Sequence, residues 1–597
     1  MDIHGNKVLK SYFGSGWAFF LPYLFLYLVF WFFEYGTTTL LKFFAGIHFL
    51  HAVGLFWIVF KSYKNINLKN YFFWLSLGSF FILTGAYLEF PSDPWTHFWR
   101  IFQWKNIDLI SDANSNYKFS YFWGYSLFGS LPPKHQILAI DFYYFFWGLL
   151  LAFQFYKLAI RLGFSEPWAK IAVWGTIIFM GNSSFSFYRY YGISSTMLST
   201  ITYLGATNSF IDYLKSKKIS YIISILFCLF LSYWNHQQGL LLFFASFIGI
   251  LLYLWHVKIG NKKFIKWITF LFLLTTGIFY LSLYLPIITD FKDTIKPIWD
   301  SKGWHFGYGG FKLFSMDPQI NNAGGRFLQI LGAIGCLNLM FSIYHIKQKK
   351  LVGWITFSPV LLLLYPPFAL FLTYLLIKHN NIIIFHRLLF AIPMSFCLVY
   401  SLQSLSLKKF KNRFFKSHNA IPLTVILLIL LSIPNKRYYF GRFQNVFLRS
   451  NNTTSLREVF KVSQFCKDNL SLEKSNSILC DRASQFILKA SSGEKPWNYF
   501  EERHLSENLS SRITSLGGIE NVLENNDIVG ILALTDELQI NPQGSLLAKS
   551  SGHWDDQIVS KNLVHDQHLE EDLQVLEKNG WAKTSVSPSY NLYLRPQ

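Results

Sequence analysis

Charge is scarce in this chain. Only 15% of its 597 residues are Asp, Glu, Lys or Arg, while 52% are hydrophobic; a soluble domain carries about a quarter charged residues. That composition excludes an ordinary water-soluble globule. Acid is scarcer than base: 33 Asp and Glu stand against 54 Lys and Arg, for a formal net charge of +21. The surplus does not point to nucleic acid, because the lysines gather in short loops between apolar runs. Cysteine is rare too, and five cysteines make no disulfide framework. Cys228, Cys336 and Cys397 lie in apolar runs as core fillers. Cys466 and Cys480, in the polar tail, could pair on an oxidising side. The chain also lacks a solenoid repeat and a low-complexity linker. Its tail lacks a CxxC pair, a Ser-His-Asp order and a Gly-rich phosphate loop; the upstream GYGG follows no strand.

Long apolar sequence is what the chain has instead. Runs near 20 residues recur from Trp17 to about Ile433, each long enough to cross a bilayer at about 1.5 Å per helical residue. The pattern predicts about thirteen transmembrane helices, at 17–33, 38–60, 71–88, 137–160, 168–188, 193–214, 219–234, 238–256, 265–287, 327–346, 353–377, 382–402 and 420–433. The first run has no small-residue cleavage site and is read as a retained span. The fold class expected is a polytopic α-helical membrane protein over 1–433, followed by a soluble α/β domain over 434–597.

Loop charge sets the orientation. With the N-terminus (Lys7, Lys10) in the cytoplasm, every even loop is cytoplasmic. Those loops carry Lys61, Lys64 and Lys69; Arg161 and Lys170; Lys215, Lys217 and Lys218; Lys258, Lys262, Lys263 and Lys266; Lys347, Lys349 and Lys350; and KKFKNRFFK at Lys408–Lys416. The opposite face receives two long loops, 89–136 and 288–326, the turn at Arg189, YWNHQQG at Tyr233–Gly239, KHNN at Lys378–Asn381 and the whole tail. Long loops are unusual in such bundles, and two on one face suggest a constructed site. The expected localisation is a bacterial-type inner membrane, with the C-terminal domain extracytoplasmic. In that tail NSILCD, DIVGILAL and YNLYLRP read as strands, alternating with helical stretches such as SRITSLGGIENVLEN and EEDLQVLEKNGW.

The loop after the third run opens with LEFPSDPWTHFWRIFQW, Leu88–Trp104. Asp93, His97 and Arg100 are spaced i, i+4, i+7, with Glu89 just before them. A helix starting at Pro94 with Asp93 as its N-cap puts His97 and Arg100 on one face. So aromatic a helix suits the lipid interface. Two readings fit: Asp93 is only a cap while His97 and Arg100 snorkel to headgroups, or the three form an ionisable cluster where a lipid-linked head group arrives.

The Asp-Pro-Trp-x-His-x-x-Arg pattern resembles the first acidic motif of oligosaccharyltransferase catalytic subunits and, more broadly, the GT-C integral-membrane glycosyltransferases. The resemblance implies a multi-span bundle, a polyprenyl-phosphate-linked sugar donor and an extracytoplasmic acceptor that is a lipid, glycan or protein. It implies that Asp93 deprotonates an acceptor hydroxyl or ligates a metal. An oxygen-only site with few acids suits a divalent ion poorly, so metal-independent chemistry is expected. The chain departs from the family: the acidic loop follows the third span, where the family's usually follows the first. The Trp-Trp-Asp signature is also missing, HWDD at His553–Asp556 being no substitute. This argues against transfer of a whole oligosaccharide to asparagine.

Further candidates share the expected outer face. His236 and Gln237, in YWNHQQG, either bind sugar hydroxyls or cap the two helix ends. His386 and Arg387 stand about a turn inside the twelfth span, where charge is costly and usually faces a cavity; an arginine there suits a lipid phosphate. Lys296 and His305, in the aromatic and basic loop Asp293–Pro318, suit a lid, and Arg189 is a third phosphate candidate. A transporter of lipid-linked glycans and a non-catalytic assembly protein are the alternatives. Against the transporter, only Pro366–Pro367 reads as a helix break, without a counterpart.

Overall fold

The computed structural model describes residues 73–77, 101, 119–128, 133–180, 195–285, 289–300, 323–365, 367–368, 371, 374–375, 388, 391–407, 417–432, 465, 477–480, 509–534, 567–587 and 590–596. The described chain is mostly helical. The helices are α1 (Phe119–Phe128), α2 (Pro133–Arg161), α3 (Glu166–Ile177), α4 (Ser195–Ser216), α5 (Ile219–Asn235), α6 (Gln238–Ile259), α7 (Asn261–Tyr284), α8 (Thr289–Asp300), α9 (Ala323–Lys347), α10 (Leu351–Leu364), α11 (Phe396–Leu407) and α12 (Ser417–Ser432). The expected spans before residue 71 lie outside the described residues.

Among the described helices, α6 and α7 are long and apolar enough to cross a membrane by length and composition. Their surroundings differ. Only 11% of the apolar window of α7 is buried, so Leu273, Ile265 and Trp267 face outward at 64%, 60% and 54% exposure. Water does not tolerate an apolar exterior of this kind; it belongs in a bilayer. α4 is the opposite case. It is rich in Ser and Thr, yet it is buried on every side, because α1, α2, α5 and α6 surround it. Its hydroxyls turn back onto its own carbonyls, as Thr207 does on Tyr203 at 3.0 Å and Thr202 on Leu198 at 3.1 Å.

Glycines set the close crossings. A Cβ on Gly249 would lie 2.0 Å from Ser358 Oγ, one on Gly239 2.3 Å from Ser199 Oγ, and one on Gly353 2.7 Å from the Ser342 carbonyl. Small residues let apolar helices approach backbone to backbone where no solvent drives them together.

The lysine-rich turns are tied together at one end. Arg161, ending α2, pairs with Asp212 of α4 (Nε to Oδ1, 2.8 Å), and Lys215 donates to the Arg161 carbonyl at 3.4 Å. Gln403, near the end of α11, bridges the α2–α3 turn: its Oε1 accepts from Ser165 N–H at 3.1 Å and its Nε2 donates to the Gly163 carbonyl at 3.2 Å. His345 of α9 pairs with Ser401 of α11 at 2.8 Å. Asn261, starting α7, donates to the Lys347 carbonyl at 3.3 Å.

Three neighbouring helices are interrupted at similar depth. α9 is broken at Gly332, whose φ of 55° and ψ of −170° are non-helical. α10 ends at Leu364, with Tyr365 extended before Pro366. The expected span 382–402 is irregular over Ala391–Ser395, and α11 starts only at Phe396. From these breaks to the lysine-rich turns each helix runs about 18–22 Å at 1.5 Å per residue. This corrects the expectation of a lone break at Pro366–Pro367. Neither Gly332 nor the Ala391–Ser395 run stands out, because one glycine or proline in an apolar run is common in membrane helices.

The described residues of the tail form a four-stranded sheet of order β1 (Ser477–Cys480), β2 (Ile528–Leu534), β4 (Tyr590–Leu594), β3 (Ala582–Ser587). β1 runs parallel to β2, and the other pairs are antiparallel. Side chains alternate across it, as strand geometry requires. Leu479, Ile531 and Tyr593 pack under α13 (Leu509–Ser515), α14 (Ile519–Glu524) and α15 (Gln567–Lys578). Ile478, Leu532 and Leu592 face the other way and join the apolar cluster of the bundle. β3 was not legible: AKTSVS has few apolar residues, and its pairing with β4 holds it. Cys480 lies buried in β1, and Cys466 is outside the described residues.

Candidate functional site

The corner between α5 and α6 lies at the end of the bundle opposite the lysine-rich turns. α5 stops at Asn235 because His236 takes an extended backbone (φ −162°, ψ 120°), and α6 restarts at Gln238. The corner is held from α4, where Ser199 Oγ donates to the His236 carbonyl at 2.6 Å. Gly239 is required there, since Ser199 and Ser232 occupy the space a Cβ would fill. The His236 Nδ1 accepts from the Gln238 backbone N–H at 3.4 Å. His236 and Gln237 are half-buried. Gln238 is buried at 4% exposure, and its Nε2 has no hydrogen-bond partner among the described residues.

Asn235 does something the sequence did not suggest. Its Nδ2 donates to the Leu231 carbonyl at 2.6 Å, and its Oδ1 accepts from the Ser120 backbone N–H at 2.9 Å. Ser120 opens α1, which belongs to the first long loop. Ser120 to Trp123 are all at most 1% exposed, and Trp123 meets Trp147 of α2 edge to face at 4.1 Å between centroids. Against Gly124 lies Ile101, whose Cδ1 and Cγ2 sit 2.8 and 2.9 Å from where a Cβ would be. Ile101 is helical and 1% exposed. The chain of contacts runs Ile101–Gly124–Ser120–Asn235, joining Ile101 to the YWNHQQG corner.

The second long loop does not start as a loop. Its first part is α8, whose Phe291 and Ile295 are buried on one face. Tyr374 Oη donates to Asp290 Oδ2 at 2.9 Å, and Phe291 packs edge to face on Tyr374. Lys296 is half-buried on this helix, with its Nζ 5.6 Å from the centroid of the Tyr284 ring.

Of the predicted site residues, His236, Gln237 and Lys296 are therefore placed, the first two on one corner and the third on α8. Glu89, Asp93, His97, Arg100, Arg189, His305, His386 and Arg387 lie outside the described residues. Among the described residues no three His, Cys, Asp or Glu side chains gather as metal ligands. Two arginines of the sheet domain, Arg512 buried and Arg595 half-buried, donate to its own backbone. Arg512 donates to the Cys480 carbonyl at 2.6 Å, and Arg595 to the carbonyls of Ile528, Val522 and Asn525. Burial holds the Arg595 guanidinium below its ordinary range. A clue to Asn235 was present: the residue before Phe119 is Lys118, which has no acceptor for the first N–H groups of α1.

No family model and no curated protein matches the chain. Among solved structures the chain is similar to the archaeal oligosaccharyltransferase AglB from Archaeoglobus fulgidus, solved in complex with an inhibitory peptide and a dolichol-phosphate, at 11% identity and a TM-score of 0.41 over 81% of this chain and 71% of that one.

Proposed function

We propose that the chain is a membrane glycosyltransferase that moves a sugar from a polyprenyl-phosphate-linked donor to an extracytoplasmic hydroxyl acceptor. The observation that carries this reading is the contact chain from Ile101 through α1 to Asn235. It joins Ile101, the residue that follows the Asp-Pro-Trp-x-His-x-x-Arg pattern in the sequence, to a corner rich in neutral donors and acceptors. A sugar presents hydroxyls, and His236, Gln237 and Gln238 offer the complementary groups.

In this reading Asp93 takes the proton from the acceptor hydroxyl, whose oxygen attacks the anomeric carbon. The bond from that carbon to the phosphate oxygen breaks, and polyprenyl phosphate leaves. A carboxylate at an apolar interface has a raised pKa, which suits a base. Arg387, with Arg100 or Lys296, holds the phosphate, and His97 and His236 line the sugar pocket. No metal is required.

The interrupted helices favour a second reading, a transporter of lipid-linked glycans, since transporter sites are commonly built at such breaks. Here the groups freed at the Ala391–Ser395 break are engaged within the protein. Tyr203 Oη donates to the Ala391 carbonyl at 3.0 Å, and Asn338 Oδ1 accepts from Cys397 N–H at 2.8 Å. Proteoliposomes carrying a radiolabelled polyprenyl-phosphate sugar separate the two. A transferase given an acceptor releases unglycosylated polyprenyl phosphate, whereas a transporter moves the label across with the sugar–phosphate bond intact.

A further inference from the structure

α1 is a short helix with an unusual position. Its loop is expected at the bundle rim, yet Ser120 to Trp123 are buried in sequence, which no helix lying on a surface permits. A helix inserted among apolar neighbours must satisfy its first N–H groups from inside the protein, because no water reaches them. Lys118, the residue just before the helix, brings no side-chain acceptor. The acceptor comes from 115 residues away, as the Asn235 side chain at 2.9 Å. The same amide group is fixed at its other end by the Leu231 carbonyl at 2.6 Å, so it has one orientation. α1 in turn sets the place of Ile101, because Gly124 leaves no gap between them.

We propose that Asn235 is a positioning residue for the outer site: by capping α1 across the bundle it sets where α1, and Ile101 packed on it, stand relative to the α5–α6 corner. Its effect on sugar transfer rests on the function proposed above. The distinction from His236 and Gln237 is chemical. Those side chains are half-buried at the corner, whereas Asn235 is 2% exposed and both ends of its amide are engaged. It therefore acts through α1 and does not touch substrate.

The test uses the full chain in lipid nanodiscs, followed by hydrogen–deuterium exchange of peptides covering 99–128. Asn235→Ala removes the acceptor and should raise exchange there about tenfold, the shift expected for one lost hydrogen bond to a buried amide. Peptides from α9 to α12 should not change. Asn235→Asp keeps an acceptor oxygen and should recover most of the protection. Gly124→Ala, which leaves the Asn235 bond intact, should loosen the Ile101 segment alone. Unchanged exchange over 99–128 in Asn235→Ala, or loosening spread evenly over the bundle, overturns the proposal. Steady-state transfer by Asn235→Ala should show kcat reduced at least about tenfold with KM for the donor little changed, the pattern of misplaced reacting groups. A local rise in exchange with unchanged kcat would make Asn235 a plain anchor and also overturn the proposal. If the wild-type chain transfers nothing, the function reading fails, while the exchange pattern still decides whether Asn235 places α1 and Ile101.

Discussion

Asn338 of α9 holds the start of α11: its Oδ1 accepts from Cys397 N–H at 2.8 Å and from Leu398 N–H at 3.3 Å. Both amides are freed by the Ala391–Ser395 break, and Asn338 is fully buried. Ser395 secures the other side, donating to the Ala172 carbonyl at 2.7 Å and pairing with Thr176 at 2.9 Å. Side chains from α3, α4 and α9 thus converge on one interruption.

Asn338→Leu keeps the volume and removes the acceptor. Leaving buried amides unpaired costs about 1–3 kcal/mol each, so thermal unfolding in detergent should shift well below wild type. Asn338→Asp retains an acceptor at a helix N-terminus, where negative charge is favoured, and should lose less. Equal stability of Asn338→Leu and wild type would show that the break satisfies itself.

Among the described residues the helices α4 to α7 were legible, because they follow from apolar run length and from lysine placement. α4 to α7 match their expected limits to within a few residues, as the flanking lysines fix them. The breaks were not legible, since what permits them is a partner far away in sequence: Asn338 and Tyr203 for the Ala391–Ser395 interruption. The corner at His236 was visible as a cluster of polar side chains. Its docking partner was hidden, because a 115-residue separation leaves no periodic signal. α8 was missed for a simpler reason: Pro297 and the glycines that follow made the stretch read as a loop.

Two glycines separate packing from propensity. Gly249→Ala would place a methyl 2.0 Å from Ser358 Oγ and 3.0 Å from the Trp354 carbonyl, so α6 and α10 must move apart. The expected cost is about 1–3 kcal/mol. Gly277→Ala meets nothing within 4 Å and should gain up to about 1 kcal/mol of helix propensity. Chemical unfolding of both variants in matched micelles should give opposite signs, and a common sign would contradict the packing.

Lys217 and Lys349 both adopt left-handed backbone, with φ of 57° and 53°. A lysine there is strained by about 1–2 kcal/mol, whereas helices commonly end on glycine. Lys217→Gly and Lys349→Gly should therefore each raise the unfolding temperature modestly. A fall in either would show that the charge contributes more to stability than the backbone strain costs.

The central claim is that the Leu88–Trp104 stretch carries the chemistry. The measurement is transfer of labelled sugar from a polyprenyl-phosphate pool into extracytoplasmic glycan, comparing wild type with Asp93→Asn in membranes at matched expression. The account predicts that wild type transfers and that the variant loses at least about a hundredfold, the effect of removing a general base. Equal transfer by the two would make Asp93 a helix cap and contradict the account.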